Sequence, residues 1–235
     1  MTRYIQRHSA QARVTHGIHM TATVALILSG LVIFVPAIAT AVGSDTVQLI
    51  KLGHRVFAVT FIVVPLISLI LAPRGFVHLL KGIFAPWDAD DKLFMKKFVK
   101  YLFSPKTTHM PKQHETKSGQ RLADGTLVFF AIVIAITGVI LWAGKFVSPD
   151  VFSITLLLHD ISFVMISIVM LAHMYLGAGM FQPYRGIARV MFGDGLVSEA
   201  DARYHWGYWA EEELASGENV VVVDDEPLRA KERIA

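Results

Sequence analysis

One stretch of this chain, residues 152–175 (FSITLLLHDISFVMISIVMLAHMY), is long enough to cross a bilayer and carries no Lys or Arg. Two histidines sit inside it, His159 and His173. The fourteen residues between them advance an α-helix by about 21 Å and return to nearly the same face. Two imidazoles therefore point the same way, one near each side of a hydrocarbon layer of about 30 Å. Groups of this kind inside a membrane are costly without a partner.

The rest of the chain fits that stretch. Of 235 residues, 54% are hydrophobic and only 17% charged, and the apolar ones gather in four long blocks instead of alternating with polar ones. The blocks predict four spans, at about 17–39, 52–72, 122–146 and 152–176, each near the length a spanning helix needs. The first closes at Pro36 and the turn Gly43-Ser44-Asp45, the second at Pro73-Arg74-Gly75, and the fourth follows Ser148-Pro149-Asp150. The expected fold is all-α: an integral membrane four-helix bundle with an interfacial helix and a C-terminal extension. The expected division is a membrane domain over 1–183 and an extension over 184–235. With no cysteine there is no disulfide, no thiolate metal site and no covalent haem attachment. A net charge of +3 gives no reason to expect a nucleic-acid partner. The N-terminus lacks a cleavage site and its first apolar block is too long for a signal h-region, so that block is expected to be retained.

Charge placement orients the spans. Arg3, Arg7 and Arg13 precede the first, Lys and Arg crowd the connection from Arg74 to Arg121, and Arg185, Arg189 and Arg203 follow the fourth. The two opposite loops offer Lys51 and Lys145. The positive-inside rule then places both termini and the long connection in the cytoplasm of a bacterial inner membrane. Within that connection, residues 91–103 (DKLFMKKFVKYLF) set Phe94, Phe98, Tyr101 and Leu102 on one helical face and Lys96, Lys97 and Lys100 on the other. Both a helix in the headgroup region and one packed on a partner subunit show this pattern. Residues 104–117 read as a loop, and the charged stretch from Glu218 onward as mobile.

Topology sorts the histidines into two levels. His54 opens the second span outside, at the depth of His159; His16 and His19 open the first span inside, at the depth of His173. A pair of imidazoles from different helices at each depth predicts two haem irons, with His16 and His19 both open as the inner partner. Bare iron, zinc or copper would need a third close ligand, for which the spans offer Asp160 alone. His8, His78, His109, His114 and His205 are expected in solvated loops. Gly30, Gly53, Gly138, Gly177 and Gly179 are read as places where a neighbouring helix or a macrocycle comes close.

Several motifs together resemble a known family. They are Arg13-x-x-His16 with Ser29-Gly30 after it, His54, Lys117-Ser118-Gly119-Gln120-Arg121, Thr137-Gly138-Val139-Ile140-x-Trp142, Leu157-Leu158-His159, His173-Met174-Tyr175, and the tail through Tyr204-His205-Trp206-Gly207-Tyr208-Trp209. The sequence resembles the cytochrome b (gamma) subunit of membrane-bound respiratory formate dehydrogenase, within the wider di-haem cytochrome b group. The resemblance implies two haem b groups, ligated in the pairs His54/His159 and His16/His173. It implies a quinone pocket (menaquinone or ubiquinone) at Gly119, Gln120 and His173 on the cytoplasmic side. It also implies an iron–sulfur (beta) partner subunit and a molybdenum or tungsten catalytic (alpha) subunit that oxidises the substrate. Departures are Gly17, where the family often has an aromatic residue, Lys117, where it often has Asn, and a longer connection between spans two and three.

Two other readings compete. One keeps the haems and attaches the chain to a hydrogenase or another molybdoenzyme. The other is a haem-free transporter or scaffold, which calls for a broken helix or polar site at the midplane; the spans are apolar and unbroken at their centres, Pro65 apart.

Overall fold

A computed structural model describes residues 2–180, 182 and 184–223. Strand β1 (Thr2–Gln6) leads through Ser9, whose hydroxyl accepts a hydrogen bond from the Ala12 amide, into helix α1 (Ala10–Phe34). Pro36 ends that helix earlier than the predicted residue 39. Its missing N–H and the extended backbone it imposes on Val35 break the ladder, and a short helix α2 (Pro36–Val42) follows. Gly43, at φ 84°, turns the chain into α3 (Ser44–Leu71), which begins well before the predicted residue 52 and carries Pro65 inside it. Ala72 alone separates it from α4 (Pro73–Phe84), followed by α5 (Ala89–Phe103) and α6 (Ser118–Trp142). The third span thus stops at Trp142 rather than 146, where Gly144–Phe146 forms a single 3-10 turn. Ser148 then caps α7 (Pro149–Gly177), accepting from the Val151 amide with proline in the first helical position.

Helices α1, α3, α6 and α7 are each long and apolar enough to span a membrane. Their large side chains, such as Leu49, Ile70, Leu71 and Leu171, are exposed by the protein alone, as expected where lipid is the covering solvent. The chain is an all-α integral membrane four-helix bundle with added short elements.

The structure divides into two units. The first holds the spans, over Val14–Leu80 and Ala123–His173. Ring contacts fix its antiparallel order: His16 faces His173 while Phe34 meets Phe163, so α1 and α7 run oppositely. His19 meets Phe61 while Ser29 meets His54, which sets α1 against α3, and Thr137 meets His159, which sets α6 against α7. Of the four spans, α7 buries the largest share of its apolar window. Thr155, Ser162 and Ile166 are buried along the face that also carries His159.

The second unit gathers the N-terminus up to Arg13, Lys81–Leu122 and the chain from Met174 onward. Here α8 (Arg189–Phe192), β2 (Leu196–Ser198), α9 (Glu199–His205), α10 (Gly207–Ser216) and β3 (Val220–Val223) complete the fold. The three strands form an antiparallel sheet in the order β2-β1-β3, with Ile5 opposite Val197 and Val220. Ile5, Val190, Val197, Trp206 and Trp209 make its core. The expectation of a mobile stretch from Glu218 is therefore corrected over 220–223: four successive valines supply β-branched side chains, and β1 offers them an edge. Residues 224–235, the remainder of that stretch, lie outside the described residues.

Helix α5 begins with a reciprocal capping box. The Asp88 carboxylate accepts from the Asp91 amide, and the Asp91 carboxylate accepts from the Asp88 amide. Its aromatic face is covered by the chain's own tail: Tyr101 is buried edge-on against Tyr184 and donates to the Tyr204 hydroxyl. The amphipathic helix that the pattern missed is α4. Its apolar residues recur as 76, 77, 79, 80, 83 and 84, and Phe76, Val77 and Phe84 are exposed.

Candidate functional site

The spans place the predicted histidines at two depths, and at the first of them two rings face each other. At the first, His16 of α1 and His173 of α7 stand with ring centroids 6.2 Å apart and planes 42° apart. Two imidazoles sharing one metal, each through a bond of about 2.0 Å and with about 1.1 Å from ring nitrogen to ring centre, would have centroids roughly 6.2 Å apart. The observed spacing therefore suits a metal between the rings. It also separates the two candidates on α1, because His19 stacks on Phe61 of α3 at 4.7 Å instead of facing His173. His16 is half-buried and His173 is exposed on the protein surface.

At the second depth His54 and His159 are half-buried. The Nδ1 of His54 is 2.8 Å from the Ser29 hydroxyl, and that of His159 is 3.0 Å from the Thr137 hydroxyl. The glycines beside those hydroxyls adjoin the same rings. A Cβ on Gly30 would meet Phe163 at 3.2 Å and His54 at 3.7 Å, and one on Gly138 would meet His159 at 3.3 Å. At Gly53 and Gly177 a Cβ would meet no protein atom within 4 Å. Gly179 has φ 62° and supports a turn in which its carbonyl accepts from the Gly186 amide.

The donor set decides which metal group fits. No cluster of three or more His, Cys, Asp or Glu able to hold a bare ion occurs among the described residues. Each depth instead supplies two imidazoles, the number needed when a macrocycle provides the other four ligands.

Of the residues expected around quinone, Gly119 is half-buried in the first turn of α6, where an added Cβ would make ordinary contact with Phe94, and Gln120 is exposed. Lys117 beside them is fully enclosed. Its Nζ lies 3.3 Å from His205 Nδ1, 4.8 Å from the ring of Tyr184 and 4.5 Å from that of Trp206. Burial, helped by the nearby Arg7 charge, holds its pKa down at about 7. His205, expected in a solvated loop, is buried and stacked on Tyr184; its place in a run of aromatic residues was the signal for this. His114 is also engaged, at 3.1 Å from the Asp88 carboxylate and stacked on Tyr208. On α3 the charge reading passed over Arg55, whose guanidinium lies 5.7 Å above the Trp142 ring.

Antiparallel spans holding imidazoles in pairs define an integral membrane protein of the b-type cytochrome class. The chain belongs to the prokaryotic cytochrome b561 family, which it matches over residues 7–194. It is thus a multi-pass membrane protein that binds b-type haem and transfers electrons. No curated protein matches it.

Proposed function

We propose that this chain is the di-haem b membrane subunit of a respiratory formate dehydrogenase, carrying electrons from an iron–sulfur subunit across the bacterial inner membrane to quinone. The observation that carries the reading is the meeting of His16 with His173 at the spacing a shared iron requires, with His159 about 21 Å from His173 along α7. His16 and His173 hold the inner haem, and His54 and His159 the outer one. Haem b, when bound, supplies one-electron redox chemistry. The chain's own part is to fix the ligands and set the polarity around each iron.

Quinone reduction also consumes protons, which this reading draws from the cytoplasm at a pocket near Gly119, Gln120 and His173. Formate oxidation belongs to the molybdenum- or tungsten-containing subunit, joined through the iron–sulfur subunit. The crowding of basic residues before α1, between α3 and α6, and after α7 supports a cytoplasmic place for both termini.

A reduced-minus-oxidised optical spectrum with haem quantitation tests the ligand set. Two b haems per chain are expected in the wild type and one in His159→Ala; both haems retained in that variant would contradict the assignment. Identification of the co-purifying catalytic subunit tests the partner, and a hydrogenase there would redirect the electrons' source while leaving the ligands as assigned.

A further inference from the structure

Two dipeptides on different spans repeat one arrangement around the second pair of histidines. On α1, Ser29 Oγ lies 2.7 Å from the Ala25 carbonyl oxygen and 2.8 Å from His54 Nδ1. On α6, Thr137 Oγ1 lies 2.8 Å from the Val133 carbonyl oxygen and 3.0 Å from His159 Nδ1. Each hydroxyl residue is followed by a glycine, and each glycine has the Cε1 edge of the same imidazole beside it. One corner of the ring is thus held by an oxygen, and the adjoining edge lies where a Cβ on the glycine would meet it, closely at Gly138 and beside Phe163 at Gly30.

The hydrogen-bond arithmetic is short. A hydroxyl has one proton. In both helices that proton goes to the carbonyl four residues back, the usual back-bond of Ser and Thr in a helix, and a carbonyl can only accept. Lone pairs are what the oxygen has left to offer His54 and His159. Each Nδ1 must then carry the hydrogen, and each Nε2 is left with a free lone pair.

The geometry points to Ser29-Gly30 and Thr137-Gly138 as matched positioning elements, which lock His54 and His159 as Nδ1–H tautomers and leave each Nε2 lone pair free to hold the outer haem iron. This rests on the proposed ligation of the outer haem and adds to it the residues that orient the ligands. Ser29 and Thr137 act through the imidazoles and touch no ligating atom. A hydrogen bond from Nδ1–H raises the basicity of the ligand, which favours ferric iron. Without the acceptor the balance moves toward ferrous.

The test is an optical redox titration of the purified, haem-loaded complex carrying Thr137→Val, Thr137→Ser or Ser29→Ala. Valine keeps the shape of threonine and removes the oxygen. At a fixed ambient potential, the outer haem of the Val and Ala variants should be roughly several-fold more ferrous than in the wild type. The inner haem should not move, and the Ser variant should follow the wild type. Titrations that coincide for all four proteins overturn the inference. Should the Val variant fail to assemble, NMR of the dithionite-reduced, histidine-labelled wild type decides, because low-spin ferrous haem is diamagnetic. A proton on Nδ1 of both residues supports the inference, and a bare Nδ1 overturns it. Loss of the ligand assignment itself reads differently: His159→Ala would then keep both haems.

Discussion

Lys117 reaches His205 at 3.3 Å inside a box of aromatic rings, and the pair joins the start of α6 to the end of α9. Burial holds the lysine near a pKa of about 7, against 10.5 in an unfolded chain. Between those values the unfolded chain binds a proton that the folded one does not, so stability rises with pH across that window. The slope is at most about 1.4 kcal/mol per pH unit. Below about pH 7 the cost of burying the ammonium is present in full. Thermal unfolding in detergent should show the wild type gaining stability from pH 6.5 to 9.5. The difference between wild type and Lys117→Met should change over the same range, and parallel curves would contradict the buried-cation account.

A second link between the start of α6 and the elements before it is ionic. The Asp91 carboxylate accepts from Arg121 at 2.7 Å and from the Ser118 hydroxyl at 2.8 Å, with both charged side chains buried. Arg121 also donates to the Ala85 carbonyl. Removing one partner of a buried pair leaves the other charge without compensation, at a cost of about 3–5 kcal/mol. Asp91→Ala should therefore lower the melting temperature far more than Asp90→Ala, since the bond from Tyr208 to Asp90 is only partly buried. Equal effects from the two substitutions would remove Asp91 from this role.

On α1 the two histidines are three residues apart and sequence spacing alone does not rank them. Their neighbours do. His16 faces His173, and His19 is stacked on Phe61. Haem quantitation should give one haem per chain in His16→Ala and two in His19→Ala. The reverse result would exchange their roles.

The spans were legible because a membrane imposes about 20 apolar residues per crossing, and the meeting of His16 with His173 because a buried imidazole needs a partner. Pro36 marks the close of the first span in the sequence, and the structure ends α1 at Phe34 with α2 taking over. The small sheet was not legible. Thr2–Gln6 is too short to carry a pattern, and the Val220–Val223 run sits beside an acidic stretch that dominates the local composition. The aromatic face of residues 91–103 was visible, but its cover comes from Tyr184 and Tyr204, some eighty to a hundred residues later. In the sequence Ser29 and Thr137 stand out only as members of the motifs that carry the family resemblance. Their meaning depends on which imidazole the neighbouring helix brings to them.

Glycines beside the candidate ligands offer the sharpest contrast between close contact and open space. Gly53 adjoins His54 in sequence, yet a Cβ there would meet nothing within 4 Å, while one on Gly138 would press on His159 Cε1 at 3.3 Å. Alanine is favoured over glycine within a helix by about 1 kcal/mol. Gly53→Ala should therefore hold or raise the melting temperature and leave both haem spectra unchanged. At Gly138 the same gain is opposed by overpacking, which costs about 1–3 kcal/mol. The added methyl has to displace the His159 ring by a few tenths of an ångström or be displaced by it. Gly138→Ala should lower the outer haem's occupancy or shift its α band with the inner haem unaffected. A variant spectrally identical to Gly53→Ala would show that His159 is not held against α6 in the way described.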